Sequence, residues 1–158
     1  MNEPIKAYIA GFLDGDGSIM LQLVKRTGYK FGYQIRASVC FYQKSKYKAE
    51  LNKLKEILKF GYIRDRNDGM TEYTIVGIDE VKKVLEAVKP YVLFKKAHVS
   101  RALEIVNEMQ GKEKLQEDKF LALARMVDSY STLNYSKKRK NFSSDVEKFL
   151  NKRADPPP

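Results

Sequence analysis

Ala7-Tyr8-Ile9-Ala10-Gly11-Phe12-Leu13-Asp14-Gly15-Asp16-Gly17-Ser18 is the stretch that decides how this chain reads. It starts as an apolar helix and ends in two carboxylates set among glycines. That order runs against helix electrostatics, because a helix C-terminus carries partial negative charge and favours Lys or Arg over Asp. A local rule broken without visible structural gain marks a place to look for function. Tyr8, Gly11, Phe12 and Gly15 fall at i, i+3, i+4 and i+7 and share one face. Gly inside a helix costs roughly 1 kcal/mol relative to Ala, so a face carrying two glycines fits close approach by a second helix. Ile5, Ile9 and Leu13 form a second apolar stripe, and a helix apolar on two sides is buried on two sides.

Outward from this helix, expected over Pro4 to Asp14, the period changes to two. Ile19, Leu21 and Leu23 alternate with Met20, Gln22 and Val24, which reads as a strand with one core face. A loop over 27–32 leads to a second strand from about Tyr33 to Tyr42. There Ile35, Ala37, Val39 and Phe41 point one way, and Gln34, Arg36, Ser38 and Cys40 the other. A helix from about Lys46 to Lys59 follows. Tyr62 to Arg66 and Glu72 to Val76 flank Asn67-Asp68-Gly69, a hairpin signal. Asp79 is the expected N-cap of a helix through Val88, which Lys89-Pro90 ends. Further helices are expected to about Met109, over about Lys119 to Tyr130, and from Ser143 to about Asn151. No internal repeat is present.

The chain has 158 residues and a formal net charge of +10. The length fits one domain, set at residues 1–153, with 154–158 as a disordered tail. The charge points to nucleic acid or an anionic surface. No apolar run is long enough to cross a bilayer, and no signal or transit pattern is visible. The expected location is therefore the compartment holding the target genome, cytoplasm or organelle interior. One Cys and one His, Cys40 and His98, exclude a disulfide, a Cys-based zinc site and a His cluster. Any metal is held by oxygen, which suits Mg²⁺ or Mn²⁺. An EF-hand loop starting at Asp14 would need Gly at Ile19 and Glu at Lys25, and no Gly-Lys-Ser/Thr follows for a P-loop.

The segment Ile9-Ala10-Gly11-Phe12-Leu13-Asp14-Gly15-Asp16-Gly17 resembles the signature of the LAGLIDADG homing endonucleases. The resemblance covers nearly the whole chain. It implies an α+β fold with an α-ββ-α-ββ-α core, extra C-terminal helices, and an antiparallel four-stranded saddle that sits on DNA. It implies a metal-dependent, site-specific double-strand DNA endonuclease used in intron homing. Such an enzyme cuts a long pseudo-palindromic site and leaves 3′ overhangs. With one motif per chain, it implies a homodimer through Tyr8, Gly11, Phe12 and Gly15, with no membrane partner and no small-molecule substrate. Two rivals share the fold: an intron-RNA-binding maturase and a non-catalytic DNA-binding regulator.

The resemblance also implies site roles. Asp16 is the metal-binding acid and the Gly15 carbonyl a second ligand, for Mg²⁺ with Mn²⁺ as a substitute. Asp14 becomes a structural residue at the helix end; read alone, it is an equally plausible ligand. Gln43 positions water and Lys95 stabilises phosphate charge, with Lys96 competing at one residue's offset. Some relatives carry a cation four residues after that Gln. This chain has Tyr47 there, flanked by Lys46 and Lys48. The polar sheet face groups Gln22, Arg26, Gln34, Arg36, Ser38, Arg64, Arg66, Glu72 and Thr74. Arg pairs bidentately with guanine and Gln with adenine, and Glu accepts from cytosine, so the mixture suits base reading. The basic run Ser136-Lys137-Lys138-Arg139-Lys140, with Lys137, Lys138 and Lys140 foremost, suits phosphate contacts.

Overall fold

The structure is a computed structural model that describes residues 1–110, 115–134 and 138–154. Helix α1 spans Glu3–Asp16. Asn2 caps it by accepting from the Ile5 N–H at 3.1 Å, and Pro4 lies in the first turn, where its missing donor costs nothing. The helix runs two residues past the expected end at Asp14, so both acids belong to its last turn. It then turns directly into strand β1, Gly17–Lys25. Gly17 permits this: a Cβ there would lie 2.8 Å from both Cα and Cδ1 of Leu13.

Strands β2 (Tyr33–Lys44), β3 (Tyr62–Asp65) and β4 (Met70–Val76) complete an antiparallel sheet of order β1-β2-β4-β3. The register pairs Leu21 with Ala37 and Val39 with Ile75. Ile19, Leu21, Leu23, Ile35, Val39, Phe41, Tyr73 and Ile75 therefore share the inward face and are buried. The opposite face carries the polar alternates, as the period of two requires.

Among the described residues, helices α2 (Lys48–Leu58), α3 (Ile78–Val88), α4 (Lys96–Met109), α5 (Glu117–Ser131) and α6 (Ser143–Ala154) follow, besides one 3-10 turn. The helix expected from Lys46 begins later, because Ser45–Tyr47 forms a 3-10 turn. Ser45 anchors that turn: its N–H donates to the Gly69 carbonyl at 2.9 Å, and its hydroxyl accepts from Thr71 at 3.0 Å. Asp79 is not the cap of α3. Gly77, at φ +100°, takes that place, and Asp79 sits in the first turn, where a negative charge meets the positive helix end.

The helices cover one sheet face only. Ile9, Ala10 and Leu13 of α1 join a continuous core running from Ile9 to Leu150. Tyr130 of α5 ties the core to β1 by donating to the Ile19 carbonyl at 2.7 Å. The second side of α1 is open within one chain. Tyr8 is 65% exposed, and a Cβ on Gly11 or Gly15 would meet nothing within 4 Å. None of the described helices is long and apolar enough to cross a membrane. Residues 155–158, where a disordered tail is expected, and Lys137 lie outside the described residues.

Candidate active site and nucleic-acid interface

The end of α1 places its two acids in different surroundings. The Asp14 carboxylate accepts three backbone N–H groups, from Leu93 at 2.6 Å, Phe94 at 3.1 Å and Lys95 at 3.0 Å. Lys95 is the N-cap residue of α4 and has no side-chain cap of its own. Asp14 thus caps α4 from another helix, which is the structural gain that compensates its place at a helix C-terminus. Burial pushes its carboxyl pKa up, but the three donors and the Lys95 charge outweigh that and hold it below the ordinary value. Lys95 answers in kind: its ammonium donates to the Asp14 carbonyl at 2.6 Å. Burial lowers the Lys95 pKa, and the charges of Asp14 and Asp16 work against that shift.

Asp16, by contrast, is exposed and takes part in no ion pair among the described residues. It opens onto a cleft of about 320 Å³ lined also by Tyr42, Gln43, Lys44, Lys46, Tyr47 and Met70. Asp16 and Gln43 thus line the same cleft. Lys95 lies on the other side of the helix tip. It lines a second cleft of about 540 Å³ with Asp14, Gly15, His98 and Asn134. His98 rests edge-on against Tyr130 and bonds the Leu133 carbonyl at 2.9 Å. Sequence reasoning passed over Tyr42, whose hydroxyl lies 3.0 Å from that of Ser18. Its place on the polar alternation of β2, two residues past Cys40, was the available signal.

Metal chemistry is limited by the donor set. Among the described residues no three Asp, Glu, His or Cys side chains cluster as a ready-made metal site. The expected oxygen ligands, Asp16 and Gly15, are neighbours at the end of α1, with Asp16 lining one cleft and Gly15 the other. Such a sparse oxygen set fits Mg²⁺, which keeps waters and takes one or two carboxylates plus substrate phosphates.

The polar sheet face is pre-organised unevenly. Arg64 holds Glu72 at 2.8 Å, and Arg66 reaches it at 4.0 Å and Asp68 at 2.8 Å. Arg26 donates to Gln34 at 3.2 Å, and both line a groove with Arg36. Ser38 and Thr74 sit at the floor of this face, with 2% and 3% of their surface exposed; the Thr74 hydroxyl lies 3.4 Å from Cys40 Sγ. Gln22 borders a groove with Lys138, Arg139 and Lys140. Arg139, expected within the same phosphate-contacting run, is the anchor of that loop. It pairs with Asp128 and donates to the carbonyls of Val127 and Asn141, leaving Lys138 and Lys140 exposed.

A model of the LAGLIDADG endonuclease family matches residues 9–103. The chain belongs to the LAGLIDADG endonuclease family. It is 33% identical over 149 residues to DNA endonuclease I-CreI of Chlamydomonas reinhardtii, across 94% of this chain and 90% of that protein. It is 32% identical over 146 residues to DNA endonuclease I-CvuI of Chlorella vulgaris, across 92% and 89%. The crystal structure of I-CvuI with its target in the presence of 2 mM Ca matches with a TM-score of 0.89 at 30% identity, covering 98% of each chain. I-CvuI has also been solved with the I-CreI target in the presence of 2 mM Mg, with that DNA not cleaved. An archaeal intron-encoded homing endonuclease bound to DNA shares the fold, with a TM-score of 0.82 at 21% identity, covering 96% of this chain and 98% of that one. The four-stranded face and the α1 signature are thus those of a LAGLIDADG protein.

Proposed function

We propose that this LAGLIDADG chain is a site-specific double-strand DNA endonuclease of the homing type. It works as a homodimer on a long pseudo-palindromic site and leaves 3′ overhangs. The observation that carries the reading is the divided fate of the two acids: Asp14 is bound by three N–H groups, whereas Asp16 faces an open cleft with Gln43. Residues 1–153 act as one domain, which the continuous core from Ile9 to Leu150 supports.

Two copies meet through Tyr8, Gly11, Phe12 and Gly15, since that face of α1 is open in a single chain. Symmetry in the protein then requires approximate symmetry in the site. Gln22, Arg26, Gln34, Arg36, Arg64, Arg66 and Glu72 read base edges, over a floor that includes Ser38 and Thr74. Lys137, Lys138 and Lys140 hold phosphates. Each chain brings the Asp16 carboxylate and the Gly15 carbonyl to one strand. These two groups would hold a divalent cation, Mg²⁺ with Mn²⁺ as a substitute, which would supply a Lewis acid and a more acidic water. Gln43 orients water through its amide. Lys95, fixed by the Asp14 carbonyl, presents positive charge to the phosphate from the other side of the helix tip.

The test scores cutting and binding separately. Wild type and Asp16→Asn are incubated with a library of DNA sites, with Mg²⁺ and with EDTA, and cut ends are sequenced. Wild type should cut with Mg²⁺ only. Asp16→Asn should lose cleavage by several orders of magnitude while keeping or gaining affinity, because one negative charge near phosphates is gone. A wild type that binds DNA but never cuts it refutes the endonuclease reading. An Asp16→Asn protein cutting at the wild-type rate refutes the assignment of the acid.

A further inference from the structure

Phosphoryl transfer at the Asp16 cleft brings an anionic phosphate beside a carboxylate, so the cleft needs fixed positive charge where negative charge develops. Three lysines lie close together in sequence after Gln43: Lys44, Lys46 and Lys48. The structure separates them. The Lys48 ammonium is held by Asp65 at 2.6 Å, and Lys48 is absent from the cleft lining. Lys44 lines the cleft but is the exposed last residue of β2, and among the described residues nothing holds its ammonium. Lys46 also lines the cleft, and its ammonium sits over the Tyr47 ring, 4.8 Å from the centroid.

The backbone beneath this pair is fixed as well. Both residues belong to the 3-10 turn Ser45–Tyr47, which Ser45 pins to Gly69 and Thr71. A cation whose stem rises from an anchored turn and whose head rests on an aromatic face loses little freedom when it meets a phosphate. Such pre-organised charge stabilises a transition state better than a freely moving one.

We propose that Lys46, seated on the ring of Tyr47, is the cation that contacts the scissile phosphate in the Asp16 cleft. Lys46 is then a catalytic residue, and Tyr47 is a positioning residue that acts through it. The assignment rests on the endonuclease reading above. It also explains how this chain does without a cation at position 47 itself.

The experiment uses the full-length protein and a DNA site recovered from the wild-type cleavage library. Single-turnover cleavage is measured with Mg²⁺, and affinity for the same duplex is measured with Ca²⁺. Lys46→Ala should slow cleavage on the order of 100-fold while affinity changes only a few-fold. Lys46→Arg should recover most of the rate. Tyr47→Phe keeps the ring and should retain most of the rate, whereas Tyr47→Leu should slow cleavage about two- to fivefold. Adding Tyr47→Leu to Lys46→Ala should cost nothing more, because the two act as one unit. Lys48→Ala should cut at the wild-type rate. Tyr47 also lines a groove with Tyr8, Gly11 and Phe12, so sedimentation confirms that each variant keeps the wild-type assembly state. Lys46→Ala cutting at the wild-type rate overturns the assignment alone. Wild type cutting no site at all overturns the endonuclease reading and this assignment with it.

Discussion

Removing the Asp14 carboxylate tests the claim that this acid is a cap rather than a metal ligand. Asp14→Ala leaves the N–H groups of Leu93, Phe94 and Lys95 without the acceptor they have at 2.6 to 3.1 Å. Leu93 and Phe94 are 69% and 83% exposed, so water replaces part of their loss. The Lys95 N–H is more enclosed and is the first donor of α4. Losing a helix cap costs about 0.5–2 kcal/mol, and a bond to a charged acceptor is worth about 1.5–3 kcal/mol when sheltered. With the outer two discounted, Asp14→Ala should destabilise by about 2 kcal/mol, or roughly 4–8 °C in melting temperature for a chain of this size. Asp14→Asn keeps one acceptor oxygen and should lose about half as much. The charge component has a sign. Because the folded-state pKa of Asp14 is depressed below its ordinary value of 3.8, its stabilisation is complete above that value and is lost as pH falls through the folded-state value. The gap between wild type and Asp14→Asn should therefore be constant near neutrality and close in acid. The assay is thermal unfolding with EDTA at fixed protein concentration, since association shifts the midpoint. A shift below about 1 °C for Asp14→Ala would refute the cap.

Other perturbations separate surface from site. Gly11→Leu adds its side chain in space that is open within one chain; it should leave each chain folded and yield monomers by sedimentation. Arg64→Ala removes the guanidinium that holds Glu72 and should cost about 1–3 kcal/mol, relaxing preference at one position per half-site in a base-substitution profile. Lys138→Ala should weaken binding to all sequences alike and reduce the slope of affinity against salt by about one.

The signature helix and the strand periods were legible because each carries a repeating chemical pattern. Ile19, Leu21 and Leu23 in β1 announce their period directly, and the single-sided sheet follows from it. Boundaries were less legible, because they depend on contacts remote in sequence. The start of α2 is delayed by Ser45 bonding Gly69 and Thr71, and nothing local to 45–47 announces partners some 25 residues away. Asp79 looked like a cap by residue type, yet Gly77 with its positive φ took the position. Within the site, the residues Asp16 and Gln43 were read from the motif, but no spacing rule says that Lys95 faces a different cleft from Gln43. Arg139 was hidden for the same reason. It sits in a run of basic residues that reads as phosphate contacts, and only the fold brings Asp128 beside it.

The division of labour between the two acids follows from helix geometry once α1 is known to continue to Asp16. An α-helix turns about 100° per residue, so residues two apart point about 200° away from each other. Had the helix ended at Asp14, no fixed angle would relate the two side chains. Because it continues, Asp14 and Asp16 must point to opposite sides of the helix tip. One side meets the start of α4, where three N–H groups and Lys95 are waiting. The other meets the end of β2, where Gln43, Lys46 and Tyr47 line a cleft. Gln43 lines the cleft on the Asp16 side and Lys95 the cleft on the Asp14 side. Any phosphate gripped by both must lie across the tip itself, over Gly15 and Asp16. Gly15, costly in a helix interior, leaves that crossing free of a side chain, and a Cβ there would meet nothing within 4 Å.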